Sequence, residues 1–392
     1  MKLLSIETSA DETAISIVDI AGDFPKASYS LLGNALRSQI ETHTKYGGIF
    51  PAMAKREHAK ALVPLLRRAL EEAELLEADT ESLTAEQTTK LQTLLEREPD
   101  LAEALITFFN ETEQPRIDVI AVTAGPGLEP ALWVGVNFAK ALALIWNLPV
   151  IPVNHMEGHV LASIYDVEED DQLSDIAFPA LALLISGGHT ELVLMPDWGQ
   201  YEKVGQTRDD AVGEAFDKVA RLIGLPYPGG PEISRLAHEA RQQNLPPFKE
   251  DLPTPMLHSG DLDFSFSGLK TAVRYAIENV DLCETDKQAL ARDFEDIVAD
   301  VLIKKTAAAV DEYSAQTVIV GGGVSANRYL REQFNARFLA SHPDLTVYFP
   351  NPGLSTDNSI MIALAGHAKL DGKLSPQGAI DSIRAQGNKS LG

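Results

Sequence analysis

Short apolar runs of strand length recur along this chain, and most end at glycine or a small polar turn before a helical pattern begins. Residues 3–7 and 14–20 flank the turn Thr8-Ser9-Ala10-Asp11-Glu12-Thr13. Residues 117–122 lead into Ala124-Gly125-Pro126-Gly127, and residues 318–320 enter Gly321-Gly322-Gly323. Residues 181–186 and 190–195 read as a hairpin through Gly187-Gly188, with further strands at 150–153 and 345–349. Helical spacing fills 54–78, 132–146, 155–164, 213–223, 287–315 and 358–369. Strands interleaved with helices predict an α/β fold whose ligands sit near the carboxyl ends of the strands. With 392 residues, 45% of them hydrophobic, the chain can build two lobes with sizeable cores.

A single cysteine, Cys283, rules out a disulfide framework and a cysteine-based zinc site, and fits a reducing compartment. Near the N-terminus, Glu7, Asp11 and Glu12 interrupt the chain before a signal-type apolar core of ~7–15 residues can form. The most membrane-like window, 131–153, contains Asn137, Lys140, Asn147 and Pro149, so a core helix and strand fit it better than a span. A soluble, cytoplasmic protein without a membrane partner is expected. The formal charge of −24 disfavours generic binding of the whole molecule to nucleic acid or anionic lipid. That charge is uneven: residues 71–115 hold thirteen acids and two bases. Leucines at helical spacing and the absence of any chemical motif mark that stretch as a peripheral helical insertion, with a partner-docking surface as the alternative.

Several short constellations carry possible chemistry. In His155-Met156-Glu157-Gly158-His159 the two imidazoles lie one helical turn apart and can reach one ion. The same spacing fits two histidines satisfied by hydrogen bonds at a helix start. It is not the zincin pattern, because Met156 stands where that pattern needs glutamate. Leu184, Ile185, Ser186, Gly187 and Gly188 form a strand ending in a turn whose N–H groups are open to an anion, or an ordinary hairpin turn. The triple glycine at 321–323, followed by Ser325 and Asn327, permits close approach of a nucleotide, or is a flexible loop. Asp11 and Glu12 form an acidic pair in a tight turn, a place to position a metal–phosphate or a solvated tip. Asp357 opens an apolar helix and reads by itself as an N-terminal cap. Asp217, with Gly230 downstream, suits ribose or substrate hydroxyls, or is a surface acid of its helix.

Taken in order along the chain, these strings resemble the tRNA N6-adenosine threonylcarbamoyltransferase family, of the bacterial TsaD type. The matching stretches are 6–13, 43–58 (HTKYGGIFPAMAKREH), 122–135 (VTAGPGLEPALWVG), 154–159, 184–192, 209–218, 227–231, 264–273 (FSFSGLKTAV), 321–328 and 355–363. The resemblance implies the two-lobed actin-like architecture shared with sugar kinases and Hsp70, with residues 1–153 and 356–392 in the first lobe and 154–355 in the second. It implies transfer of the threonylcarbamoyl group from threonylcarbamoyl-AMP to N6 of adenosine 37 in tRNAs reading codons that begin with A, in the inter-lobe cleft. It also implies one divalent metal per subunit, Fe(2+) or else Zn(2+), held by His155, His159 and Asp357. The adenylate would contact Leu184, Ile185, Ser186, Gly187, Gly188, Asp217, Gly230, Ser234 and Asn327. Asp11 and Glu12 would act at the phosphate end as the catalytic acids. The partners it implies are tRNA, a TsaB-like paralogue and a TsaE-like ATPase, with TsaC-type enzymes making the donor.

Three positions depart from the family pattern. Ala10 stands where many relatives have cysteine, Ser234 stands where many have aspartate, and most lack an acidic insertion at 71–115. A tRNA substrate also needs positive charge, for which Lys55, Arg56, Lys60, Arg67 and Arg68 on one predicted helix, or basic partner subunits, are the candidates. The rival readings are an ATP-dependent phosphotransferase or ATPase of the same fold, a metallopeptidase, and a non-catalytic scaffold. A His-His-Asp set does not suit magnesium, which prefers oxygen ligands.

Overall fold

The computed structural model describes residues 1–78, 82–167, 171–249 and 251–392. The chain forms two compact units, residues 1–174 with 357–390 and residues 175–356 with 391–392. Each holds its own mixed sheet and helices, as the α/β reading expects.

The first unit starts with strands β1 (Lys2–Glu7), β2 (Glu12–Ala21) and β3 (Ser28–Ser38), joined antiparallel. Helices α1 (Ile40–Thr44), α2 (Pro51–Glu72), α3 (Ala85–Leu94) and α4 (Pro99–Glu111) follow. Strand β4 (Val119–Gly125), helix α5 (Glu129–Trp146) and strand β5 (Val150–Asn154) then add the parallel half of the sheet. Helix α6 (His155–Ser163) and the short strands β6 (Tyr165–Asp166) and β7 (Gln172–Leu173) close this segment. The second unit carries β8 (Ala180–Ile185), β9 (Thr190–Met195) and β10 (Glu202–Gln206), then α7 (Val212–Leu222), α8 (Gly229–Gln242), α9 (Ser267–Ala276) and α10 (Glu284–Tyr313). Strand β11 (Thr317–Gly321), helix α11 (Arg328–Ser341) and strand β12 (Thr346–Tyr348) complete it. Helices α12 (Ser359–Ala368) and α13 (Pro376–Ser382) return to the first unit.

The two sheets repeat one topology. In the first, the order β3-β2-β1-β4-β5 has antiparallel pairs before β1 and parallel pairs after it. In the second, β10-β9-β8-β11-β12 does the same around β8. The turn Thr8–Asp11 after β1 and the glycine turn after β8 are therefore equivalent hairpin tips. Fully buried β1, β4, β8 and β11 explain the continuous apolar runs in the sequence.

The chain crosses to the second unit near residue 174, not at the expected 153. Helix α6 packs on α12, and β7 pairs with β3 at Ser28–Gln172, so both stay with the first unit. The acidic stretch is helical as expected but not peripheral. Leu91, Leu95, Leu101, Leu105, Phe108 and Phe109 are buried in the first unit's core, and Phe109 stands edge-on to Trp146 with centroids 5.8 Å apart. Residues 79–81 of that stretch lie outside the described residues. Its acids also neutralise α2: Lys55 pairs with buried Glu98 at 2.8 Å and Arg67 with Glu111 at 2.7 Å. Lys60 and Arg68 pair within α2 itself, with Glu57 and Glu72. Of the five cations proposed as a basic patch, four are in ion pairs and Arg56 makes none among the described residues.

Candidate metal centre

His155 opens α6 because Asn154 caps it, its side-chain oxygen accepting from the N–H groups of Met156 (2.9 Å) and Glu157 (3.4 Å). One turn on, His159 lies on the same face, with the two ring centroids 4.7 Å apart. Asp357 reaches them from the residue before Asn358, which caps α12 by accepting from the N–H of Met361. Gly158 lets α6 approach α12: a Cβ there would stand 3.0 Å from Met361 Cγ and 3.3 Å from the Met361 carbonyl oxygen. The cap role expected of Asp357 therefore falls to its neighbour, leaving the carboxylate free for the histidines.

Asp357 Oδ1 is 3.4 Å from His155 Nε2 and 3.2 Å from His159 Nε2. Donors ~2.0–2.1 Å from one tetrahedral cation stand ~3.3 Å apart, so this spacing fits a shared ion. One ligand atom from each of the three residues lies within 4.8 Å of the others. His159 is 1% exposed, and beyond the contact to Asp357 neither ring nitrogen has a partner of hydrogen-bond geometry among the described residues. A buried imidazole without partners is costly unless something else occupies its lone pair. The donor set of two nitrogens and one oxygen suits iron or zinc better than magnesium.

Glu7 was not singled out in the sequence, yet it organises the centre. It ends β1 fully buried, and its Oε2 contacts His155 Nδ1 at 3.1 Å. Oε2 also accepts from Thr123 Oγ1 at 2.6 Å, and Oε1 accepts from the Ser9 N–H at 2.5 Å. With Nδ1–H donated to Glu7, the lone pair of His155 sits on Nε2, facing Asp357. Burial would lower the His155 pKa, but Asp357 and Glu7 overcome it and push it up to about 10. Burial would raise Asp357, but the two imidazoles hold it well below the usual carboxylate range. The cluster thus favours one positive charge at its centre: a proton on His155, or a divalent cation.

Asp11 and Glu12 occupy the tip after β1. Burial, opposed by the hydrogen bond to Glu12 and supported by Asp357, raises Asp11. Burial, Asp357 and Asp11 together push Glu12 up to about 9. The pair therefore shares a proton at neutral pH. Beneath this turn, His58 Nε2 donates to the Ala10 carbonyl at 3.1 Å, while its Nδ1 accepts from Thr13 Oγ1 at 2.8 Å. Burial lowers its pKa to about 4. Below pH 6.5 the unfolded chain takes up a proton that folded His58 refuses until about pH 4. Its contribution is therefore complete above pH 6.5 and falls by ~3 kcal/mol as pH drops to 4. Denaturant unfolding between pH 7 and pH 4 should show a shallower loss of stability for His58→Gln than for the wild type; an identical pH dependence would contradict this.

In the second unit the remaining expected residues come together. Ser186 Oγ accepts from the N–H of His189 at 3.1 Å and of Gly188 at 3.3 Å, shaping the tip after β8. The Gly213 N–H donates to the Ser186 carbonyl at 3.2 Å, which sets the start of α7 against that tip. Gly322, at φ +91°, lies against Ile185, whose carbonyl oxygen a Cβ there would meet at 2.4 Å. Asp217 Oδ1 accepts the Gly229 N–H at 2.7 Å, so α7 holds the start of α8, where Gly230 follows. Asn327 Oδ1 caps α11, and its Nδ2 donates to Ser234 Oγ (2.9 Å) and to Glu295 Oε1 (2.8 Å). Glu295 is 2% exposed and also binds Ser234 and Arg241, a role the acid-rich α10 sequence did not signal. Ser234 thus contacts protein groups where an aspartate contact was expected of relatives.

Glu157, between the two histidines, is buried and its Oε2 pairs with Lys369 at 2.6 Å. No helix among the described residues is long and apolar enough to cross a membrane.

A family model for tRNA N6-adenosine threonylcarbamoyltransferases matches residues 30–84 and 95–364. Its unmatched internal stretch, 85–94, is α3 alone, so the extra segment is narrower than 71–115. Curated proteins of that description are similar over 94% of this chain and 92% of their own length. They include those of Burkholderia ambifaria (41% identical over 377 residues), Paraburkholderia xenovorans (42% over 373) and Burkholderia vietnamiensis (43% over 379).

Proposed function

The chain belongs to the tRNA N6-adenosine threonylcarbamoyltransferase family and is an acyltransferase of tRNA modification, and we propose that it uses threonylcarbamoyl-AMP as donor with one divalent metal, iron before zinc, at His155, His159 and Asp357. The target is N6 of adenosine 37. The carbon–oxygen bond to the adenylate phosphate breaks, the N6–carbon bond forms, AMP leaves with the electron pair and the amine loses a proton. A mixed anhydride already carries a good leaving group, so positioning and charge stabilisation suffice and no side-chain nucleophile is needed.

His155, His159 and Asp357 would hold a divalent cation, which when bound would supply Lewis-acid polarisation of a donor oxygen. Glu7 fixes the tautomer and direction of His155, and Gly158 sets the α6–α12 spacing. Asp11 and Glu12 lie within electrostatic reach of Asp357 and are assigned to the reacting end. In the second unit the bare backbone of Gly187 and Gly188, with Asp217, Gly230 and Asn327, fits an adenylate. A Cβ on either Gly187 or Gly188 would meet nothing within 4 Å, so the backbone there is bare to a ligand. Solution in the cytoplasm and assembly with TsaB-like and TsaE-like proteins complete the reading.

The observation that carries it is the convergence of His155, His159 and Asp357 at cation spacing in a chain of this family. Supplying threonylcarbamoyl-AMP, unmodified tRNA and the partner proteins should yield the modified nucleoside by mass spectrometry. Product formation undiminished after complete metal removal would refute the metal assignment. No product with any metal would refute the donor.

A further inference from the structure

The tRNA substrate needs a surface on a chain of charge −24, and the cations of α2 are largely spent on their own carboxylates. One edge of the first unit is different. Between α1 and α2, Tyr46 and Phe50 are 54% and 51% exposed, with ring centroids 5.3 Å apart at an interplanar angle of 61°. Large apolar rings on a soluble surface mark an interaction site when they stand together. Lys45 and Arg56, exposed beside them in sequence, make no ion pair among the described residues. Residues 43–60 hold four Lys or Arg and one acid, the reverse of the chain's overall balance.

The same segment is fastened to the acid tip. The Gln39 N–H donates to the Asp11 carbonyl at 2.9 Å, His43 Nε2 bonds Gln39 Oε1 at 3.1 Å, and His58 Nε2 reaches the Ala10 carbonyl. Its anchors therefore grip the turn that lies in the field of Asp357, while its tip offers two aromatic faces and free cations. Stacking rings with adjacent cations are how proteins hold unpaired bases.

We propose that the Tyr46–Phe50 edge is the docking surface for the single-stranded loop of the tRNA substrate, with bases stacked on the two rings and phosphates met by Lys45 and Arg56. The proposal rests on the tRNA-modifying reading above and adds the contact surface. A partner protein or a second copy of this chain is the competing occupant.

The test uses the protein mixture that forms modified nucleoside, with an unmodified anticodon stem-loop as probe. The paired variant Tyr46→Ala/Phe50→Ala should bind it at least ~10-fold more weakly by anisotropy, the loss of about one base stack. Tyr46→Phe/Phe50→Tyr should restore binding, and Lys45→Ala should lower the salt slope by ~1. Cross-linking from a photoreactive loop base should fall on residues 45–56. Thermal stability and metal content should be unchanged, since the rings are half in solvent. Wild-type affinity in the alanine pair overturns the proposal, as does an effect confined to oligomeric state or partner binding. If no mixture forms the nucleoside, it is the functional reading that falls.

Discussion

With His155 and His159 both replaced by alanine, the protein should keep its fold, bind no divalent iron or zinc above background, and lose at least ~10³-fold in transfer. The fold should survive because the pair lies on a short helix that Asn154 caps and α12 covers, away from the main apolar cluster. Metal is lost because two of the three donors go and Asp357 alone has no chelate partner. The rate loss follows from several kcal/mol of charge stabilisation that the bound ion supplies. Metal content by elemental analysis and single-turnover product formation check it together. A metal-free double variant with full activity would sink the assignment.

Glu7→Ala should act through stability and through the metal at once. It leaves the Ser9 N–H and the His155 Nδ1–H buried without their acceptor, and the Thr123 hydroxyl with only the Ile6 carbonyl at 3.4 Å. Each unpaired buried group costs ~1–3 kcal/mol, so a loss of ~3 kcal/mol or more is expected in denaturant unfolding. Glu7→Gln retains the shape but keeps only one acceptor oxygen, enough for the Ser9 N–H or for the Thr123 and His155 donors but not for both, so only part of the stability should return. Its weaker acceptor should still leave metal affinity ~10- to 100-fold below wild type, as removal of such outer partners does. Competition with a chelator separates the two effects. Equal metal affinity in wild type and Glu7→Gln would show that the carboxylate only fills space.

The sequence was most legible where buried strands end at glycine. The runs 3–7, 181–186 and 318–320 became β1, β8 and β11 to within one residue, because a strand covered on both faces has few polar positions to blur its ends, while 117–122 became β4 shifted two to three residues later. The helices at 132–146, 213–223 and 287–315 were legible for the related reason of a continuous apolar stripe, and each starts one to three residues earlier in the structure. The two histidines were visible as spacing, but their third partner is some two hundred residues away and was supplied by resemblance. Glu7 left a faint signal, an acid closing an otherwise apolar strand run, which reads equally as a strand end meeting solvent. Glu295 left none, since α10 carries acids on many turns and only packing shows which one is buried. The lobe boundary was missed because α6 looks self-contained; the deciding contacts, with α12 and through β7, lie far away along the chain. The acidic stretch misled through composition: thirteen carboxylates hide a stripe of leucine and phenylalanine that packs as core.

The repeated strand order gives both units one scaffold, and each places a hairpin apex at the same station of its sheet. One apex became ionisable, filled with side-chain oxygens at Asp11 and Glu12; its twin became all main chain, stripped to Gly187 and Gly188. A graft of carboxylates onto the glycine apex should therefore be tolerated structurally while repelling a phosphate, so division of labour here is written in side chains and not in the scaffold.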